Sequence, residues 1–482
     1  MMAAGLCAAA SENPKREFRG AWMHTIGQSQ YKEQTTEQNQ AYLRKQLDQL
    51  LAAGVNVVIW QVRPSADAFY PSDLEPWSKY LTDGGQPPVP YWDPLQFMID
   101  EAHARGMELH AWLNPYRVTT TKGEKLPKNH LYHKHPERFV KYEGDGKMYF
   151  DPALSENRQF IADVVKDIVT RYDVDGIHMD DYFYPYPAGG KDFPDSKSYA
   201  KYGKGMNKAD WRRQNVDQLI ELVHKTIRAR KPWVRFGISP FGIWRNKSTD
   251  PRGSDTNGLQ NYDDLYADVL LWAEKGWIDY LVPQLYWELE HKRASYLVLV
   301  DWWAKAVDPK CQVYIGQSVE KTMELPDLAP SKEPNQLKHK VDLTRQWESI
   351  QGNCWWPAYS LTRDSKGSAT ALKNSYQATP ALVPAYTGIS NDKPKAVKKV
   401  RLKDNILSWS VVENKGKATD QVKFVVYRFD DASDRNFENP ANIMAVTTDH
   451  SLEVSLPGTY VVTALDRVNN ESSPSNEVRK KN

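Results

Sequence analysis

The sequence predicts a (β/α)₈ barrel followed by a small all-β sandwich, and three observations carry that reading. Between residues 16 and 376 short apolar runs alternate with amphipathic stretches, the pattern of parallel strands joined by helices. No G-x-G-x-x-G follows the first run, so an open doubly wound sheet is the weaker alternative and closure into a barrel the commoner solution. Beyond residue 394 only short β-type runs remain, separated by turn residues and without helical periodicity.

The expected barrel strands are 18–24, 55–63, 107–114, 174–180, 234–240, 278–286, 312–317 and 353–359. Apolar residues at i, i+3, i+4 spacing predict helices over 40–53, 94–105, 158–171, 213–230 and 263–275. The second of these opens with Pro94, which suits a first helical turn. Gly54, Gly106 and Gly276 follow their helices as C-caps. Residues 377–394 hold three prolines and no periodicity, which reads as a linker. The expected organisation is therefore 1–15 as the remnant of an export signal, 16–376 as the barrel, 377–394 as linker and 395–482 as the sandwich. Few contacts are expected to cross such a linker.

Composition narrows the function. Lys plus Arg number 63 against 61 Asp plus Glu, so no nucleic-acid-binding field is present. A mean hydropathy of −0.67 excludes a polytopic membrane protein. Three cysteines exclude a disulfide scaffold and a Cys-rich zinc cluster. Aromatic residues are plentiful, with 17 Trp, 26 Tyr and 13 Phe. Aromatic excess without basic excess points to flat, hydroxylated, uncharged ligands, carbohydrate first. At the start, MMAAGLCAAA is apolar and ends in an A-x-A site, but no basic n-region precedes it. That favours export to the periplasm, the cell envelope or the medium over a meaningless apolar start. Cys7 raises a lipid anchor, although Leu6 stands where a small residue is wanted.

Strand alternation then sorts side chains between lumen and helix layer. With Leu109, Ala111 and Leu113 outside, His110, Trp112 and Asn114 face inward. The same argument turns His178 and Asp180 inward, then Gln284 and Tyr286, with Glu288 keeping that parity just beyond. Gln61, Arg63, His24 and Ser239 join the same layer. Polar residues in phase at the carboxyl ends of five or more strands are hard to explain as isolated caps, and barrel enzymes keep their sites there.

HMDDYFYPYP at 178–187 is the densest stretch. Alternation allows one of its adjacent carboxylates to face the lumen, so Asp180 is expected to act as nucleophile or base and Asp181 to orient the loop or bind a neighbouring Arg. A glycosidase needs two carboxyl groups. Glu288 is the leading candidate for the second, with Asp67 and Glu320 behind it, and aromatic neighbours Tyr286 and Trp287 could raise its pKa. Trp77, Trp112, Tyr116, Trp244, Tyr286, Trp287, Trp355 and Trp356 supply faces on which sugar rings stack, although Trp112 and Trp356 also read as barrel filling, which is the better reading for Trp355 or Trp356. His130, His133 and His135 with His178 and the two aspartates raise a metal-dependent deacetylase. Their H-x-x-H-x-H spacing in a Lys- and Pro-bounded loop reads better as a solvated loop, so neither metal nor cofactor is expected. No P-loop, G-x-S-x-G elbow or C-x-x-C is present.

The segments FRGAWM, GVNVVIWQVRPSADAFYPS, EAHARGMELHAWLNPYR, DGIHMDDYFYP and YLVPQLYW closely resemble the bacterial glycosyl-hydrolase-like 10 family. The resemblance spans roughly residues 16–376. It implies a (β/α)₈ glycosidase fold, export to the envelope and action on glycans, with peptidoglycan strands a favoured substrate class. It also implies that Asp180, Asp181, Asn114, Arg117, Arg63, Asp67, Gln284 and Tyr286 line the pocket, with Asp180 placed as a nucleophile. His24, His110, Trp112, Tyr116, His178, Tyr182, Trp244 and Trp287 complete the expected substrate contacts. The stretch from Gly458 resembles the last strands of a fibronectin type III module, with Tyr460 placed like a tyrosine corner. Two other readings compete: a silent glycan-binding platform, and a metal-dependent hydrolase or deacetylase.

Overall fold

A computed structural model describes residues 13–431, 433 and 435–481. The A-x-A site and Cys7 lie outside the described residues.

Eight parallel strands close into a barrel in chain order. They are β1 (Phe18–Met23), β2 (Val57–Arg63), β3 (Glu108–Leu113), β4 (Gly176–Met179), β5 (Arg235–Ile238), β6 (Tyr280–Leu281), β7 (Gln312–Ser318) and β8 (Ile350–Trp356). β6 is two residues long because Pro283 has no N–H to give to the ladder; two isolated bridges, from Gln284 to Phe241 and to Gly316, carry the sheet on. The eighth strand begins three residues earlier than the sequence predicts.

The helices lie on the outside. α1 (Thr36–Ala52) starts before the expected residue 40 because Thr35 and Gln38 form a reciprocal capping box. α2 (Pro94–Ala104) is capped by Asp93, and α3 (Ser155–Arg171) and α4 (Lys208–Arg230) begin three and five residues before their predicted starts. The lumen is packed with rings, and two glycines make room for them. A Cβ at Gly237 would sit 1.9 Å from the Tyr280 ring, and one at Gly176 would sit 2.8 Å from His110.

Residues 398–480 form two antiparallel sheets. β9 (Lys398–Lys403), β10 (Ile406–Ser410) and β13 (Ser451–Glu453) make one, in the order β9-β10-β13. β11 (Gln421–Phe429), β12 (Ile443–Thr447), β14 (Gly458–Asp466) and β15 (Val478–Lys480) make the other, in the order β12-β11-β14-β15. The Tyr460 hydroxyl donates to the Leu456 carbonyl at 2.5 Å, the bond of a tyrosine corner.

The segment between barrel and sandwich is packed, with Leu382, Val383 and Tyr386 buried, and many contacts cross it. The sandwich seats on the amino-terminal end of the barrel. There Glu108 is buried and takes hydrogen bonds from Lys423 (3.2 Å) and Asn469 (2.8 Å) of the sandwich. It is also paired with Arg235 of β5. Gly106, with φ +71°, has Val446 O only 2.6 Å from where a Cβ would be. Its lack of a side chain thus serves both the helix cap and the close approach of the sandwich.

Candidate active site

At the other end of the barrel a cavity of about 400 Å³ opens at the carboxyl ends of the strands. Trp22, Trp112, Tyr286 and Trp356 wall it with rings; Gln61, Arg117, Asp180, Asp181, Ser239 and Gln284 supply polar groups, and Ile26 and Tyr182 complete it.

Both aspartates line this cavity, which corrects the expectation that only one could. β4 ends at Met179, so strand alternation no longer governs the two residues that follow. Asp180 is buried; one carboxyl oxygen accepts from Trp112 Nε1 and the other from Asn114 Nδ2, both at 3.0 Å. Burial raises its pKa, against the pull of the Arg117 cation and these two donors. Asp181 is pushed up to about 7, first by burial and then by the charge of Asp180. The Tyr186 hydroxyl donates to Asp181 and, with Gln284, acts against that rise. One carboxyl is thus fixed by two donors, and its neighbour holds a proton near neutral pH. Pairs pushed apart in this way divide acid and base roles.

Asn114 and Arg117 are linked behind the pair. Asn114 Oδ1 accepts the Arg117 N–H at 3.0 Å, and the Arg117 guanidinium donates to Pro64 O at 3.0 and 3.1 Å. The same guanidinium lies 5.1 Å from the Tyr182 ring centre, with Tyr182 38% exposed at the cavity mouth. Gln284 donates to the Ser239 carbonyl at 2.9 Å.

Beneath the cavity a hydrogen-bonded column runs down the lumen. Trp22 Nε1 and Ser239 Oγ lie 3.2 and 3.0 Å from His178 Nε2, and His178 Nδ1 is 3.1 Å from the Tyr280 hydroxyl. That hydroxyl is 2.7 Å from His110 Nδ1, and His110 Nε2 is 3.3 Å from Glu108. An indole N–H can only donate, so His178 Nε2 accepts and its proton sits on Nδ1. Tyr280 then donates to His110, which donates to Glu108. Burial holds both imidazoles neutral, His110 down at about 4 and His178 well below its usual value. His110 and His178 are therefore the column's members, placed below the cavity rather than on its wall.

Several expected residues lie elsewhere. Glu288 is half-buried outside the cavity, where its charge faces Lys340. The chain bends at Trp287, so the parity that reached Tyr286 does not extend to it. Trp287 itself packs against Phe241 with ring centres 5.5 Å apart. Arg63 turns away from the lumen, because the β2–β3 register shifts between Gln61 and Arg63. It forms a buried pair with Glu75 at 2.5 and 2.7 Å. Asp67 accepts from Ser78 Oγ (2.7 Å) and the Ser65 N–H (3.0 Å) and borders a second cavity, with Trp77 and His130. Glu320 is exposed and takes a bond from Ser360 at 3.2 Å. Tyr116 is buried in the helix layer, and Trp244 stacks on Trp302 at 5.8 Å. Trp355 is core. His24 rests against Trp356, 4.9 Å between ring centres, and so backs the cavity wall. His130 is buried whereas His135 pairs with Glu137 on the surface. Among the described residues no group of three or more His, Cys, Asp or Glu could hold a metal ion.

Sequence reasoning passed over Trp22, Ile26 and Tyr186. Trp22 shares the lumen parity of His24 and was legible; Tyr186 reaches Asp181 by a loop path that no periodicity encodes.

A closed parallel barrel with paired carboxylates and aromatic walls at its carboxyl end has the architecture of a (β/α)₈ glycosidase. Residues 17–330 match the glycosyl hydrolase-like 10 family, and the chain belongs to that family, whose chemistry is hydrolysis of O-glycosidic bonds in glycans. It is similar to glycosyl hydrolase YngK of Bacillus subtilis (strain 168), 38% identical, with 98% of this chain and 95% of that protein covered. It is also similar to glycosyl hydrolase DigH of Escherichia coli (strain K12), 39% identical over 71% of this chain and 83% of that protein. Among solved structures, the catalytic domain of a β-amylase from Paenibacillus polymyxa matches with a TM-score of 0.47 and 12% identity, covering 75% of this chain and 99% of that one. No helix among the described residues is long and apolar enough to cross a membrane.

Proposed function

We propose that the protein hydrolyses the glycan strands of bacterial cell-wall peptidoglycan, in the periplasm or cell envelope, with Asp181 as general acid and Asp180 as the anion beside the reacting carbon. The observation that carries this reading is the carboxyl pair in the cavity. Asp181 holds a proton near neutral pH in a partly desolvated site, as protonation of a leaving oxygen requires. Asp180 is clamped by Trp112 and Asn114, which keeps its charge in one place. Four rings offer faces for sugar C–H groups, and Arg117 supplies a cation for the carboxylate that alternate sugars of such a strand carry once the stem peptides are removed.

The test is mass spectrometry of soluble products after incubation with peptide-stripped peptidoglycan, with Asp180→Asn and Asp181→Asn run beside the unaltered protein. Release of glycan fragments that falls by at least about a hundredfold in both variants is the expected result. Strand binding without any release would mean a silent glycan platform instead.

A further inference from the structure

The carboxylates on the cavity wall come from consecutive residues, Asp180 and Asp181, at the end of one strand. In a closed eight-stranded barrel the wall opposite β4 is built by β8 and its neighbour β1. That wall presents Trp356 and Trp22, and among the described lining residues it has no carboxylate. A double displacement through the enzyme asks for an acid and a carboxylate nucleophile flanking the bond, and a direct displacement asks for a base across from the acid. Neither partner is in place across from Asp181.

A buried donor is in place instead. Gln61 is fully buried and lines the cavity. Its Oε1 accepts from the backbone N–H groups of Thr25 (3.1 Å) and Ile26 (3.0 Å), which fixes the direction of the amide. Its Nε2 then has no partner among the described residues, and a buried polar group left unpaired is costly unless a ligand completes it. Tyr286, also on the wall, is kept a neutral hydroxyl by burial. The site thus combines a fixed anion with donors suited to a carbonyl oxygen.

We propose that the substrate supplies its own nucleophile: the sugar seated over Asp180 and Asp181 carries a 2-acetamido group whose carbonyl oxygen attacks C1, oriented by Asp180 on its N–H and by Gln61 Nε2. This rests on the glycosidase reading of the same cavity. In the first step the carbonyl oxygen bonds to C1 and the C1–O bond to the leaving sugar breaks. The electron pair stays on the leaving oxygen, which takes the Asp181 proton. The product is a bicyclic oxazolinium ion, whose charge Asp180 faces. In the second step Asp181 takes a proton from water as its oxygen adds to C1. The ring reopens, the acetamido group is restored, and the anomeric configuration is retained with Asp181 protonated again.

The experiment compares peptide-stripped strands in native, de-N-acetylated and N-trifluoroacetylated forms, reading kcat by product release, anomeric configuration by NMR and protein mass after quenching. A trifluoroacetyl oxygen is a poorer nucleophile of similar shape. Its strands should turn over at least about tenfold more slowly, about 1.4 kcal/mol of transition-state stabilisation. The de-N-acetylated strands should not be cut, the configuration should be retained, and no adduct should form. Gln61→Glu keeps both backbone bonds and removes the donor, so kcat/KM on native strands should fall at least about tenfold. An unchanged kcat on trifluoroacetylated strands, inversion, or a glycosyl adduct on Asp180 would overturn the proposal while leaving strand hydrolysis intact. Unchanged kcat/KM in Gln61→Glu would overturn the role given to that residue. No release from native strands but release from short chitin-type oligosaccharides would remove the strand reading and support this one. Release only from 2-hydroxy glycans, or from none of these, would overturn both.

Discussion

Asp181→Asn should make the protein more stable and inactive at the same time. In the unfolded chain this carboxyl ionises near its ordinary value of 3.8, whereas in the folded protein it keeps its proton to about 7. Between those values the folded state binds more protons, so stability falls as pH rises through the window and stays lowered above it. At about 1.36 kcal/mol per pH unit the cost reaches about 4 kcal/mol, an upper figure because Asp180's charge supplies part of it. Asparagine carries no charge and still offers an oxygen to the Tyr186 hydroxyl. The variant should therefore gain about 2–4 kcal/mol at pH 8 and almost nothing at pH 4. Urea unfolding at both pH values, with glycan release measured on the same preparations, reads both effects. A gain equal at the two pH values, or a loss at pH 8, would refute the account of a buried carboxyl held at a cost. Turnover within tenfold of the unaltered protein would refute its role as acid.

Tyr186→Phe removes a donor that favours the ionised form of Asp181, so the alkaline limb of the kcat–pH profile should move to higher pH. A limb that moves down or stays put would detach that tyrosine from the titrating group. Glu288→Gln should leave turnover within about twofold, since that residue lies away from the cavity; a loss of orders of magnitude would reinstate it. Removing residues 390–482 should yield an insoluble or poorly folded barrel, because Glu108 would lose Lys423 and Asn469 and the buried strap would be uncovered. Lys423→Met alone leaves Glu108 with Arg235 and Asn469, and should cost about 1–3 kcal/mol by urea unfolding.

Periodicity carried the fold and the phase of most strands, because a barrel strand must show apolar side chains to its helices. It identified Trp112, Gln284, Tyr286 and Asp180 on the lumen side. It failed where the strand period is interrupted. The register shift after Gln61 sends Arg63 to Glu75, the end of β4 at Met179 frees Asp181 to face the cavity, and the bend at Trp287 removes Glu288. Each miss extrapolated a two-residue period past the point where hydrogen bonding enforces it. The packing of residues 380–386 was illegible for another reason. Three prolines and the absence of periodicity describe a chain without helix or strand, and such a chain can still be buried.

The lumen column has a direction. An indole that can only give a proton stands at its upper end, and a carboxylate held by two cations stands at its lower end. Every link between them must point the same way, so a proton could travel along it only if each ring and hydroxyl reversed in turn. Reversal would leave two hydrogens facing each other at the Trp22 end, where the two nitrogens are 3.2 Å apart. The column therefore behaves as an insulator beneath the carboxyl pair. On the proposed roles, the proton that Asp181 gives up is recovered through the open mouth, from the water that enters behind the departing sugar.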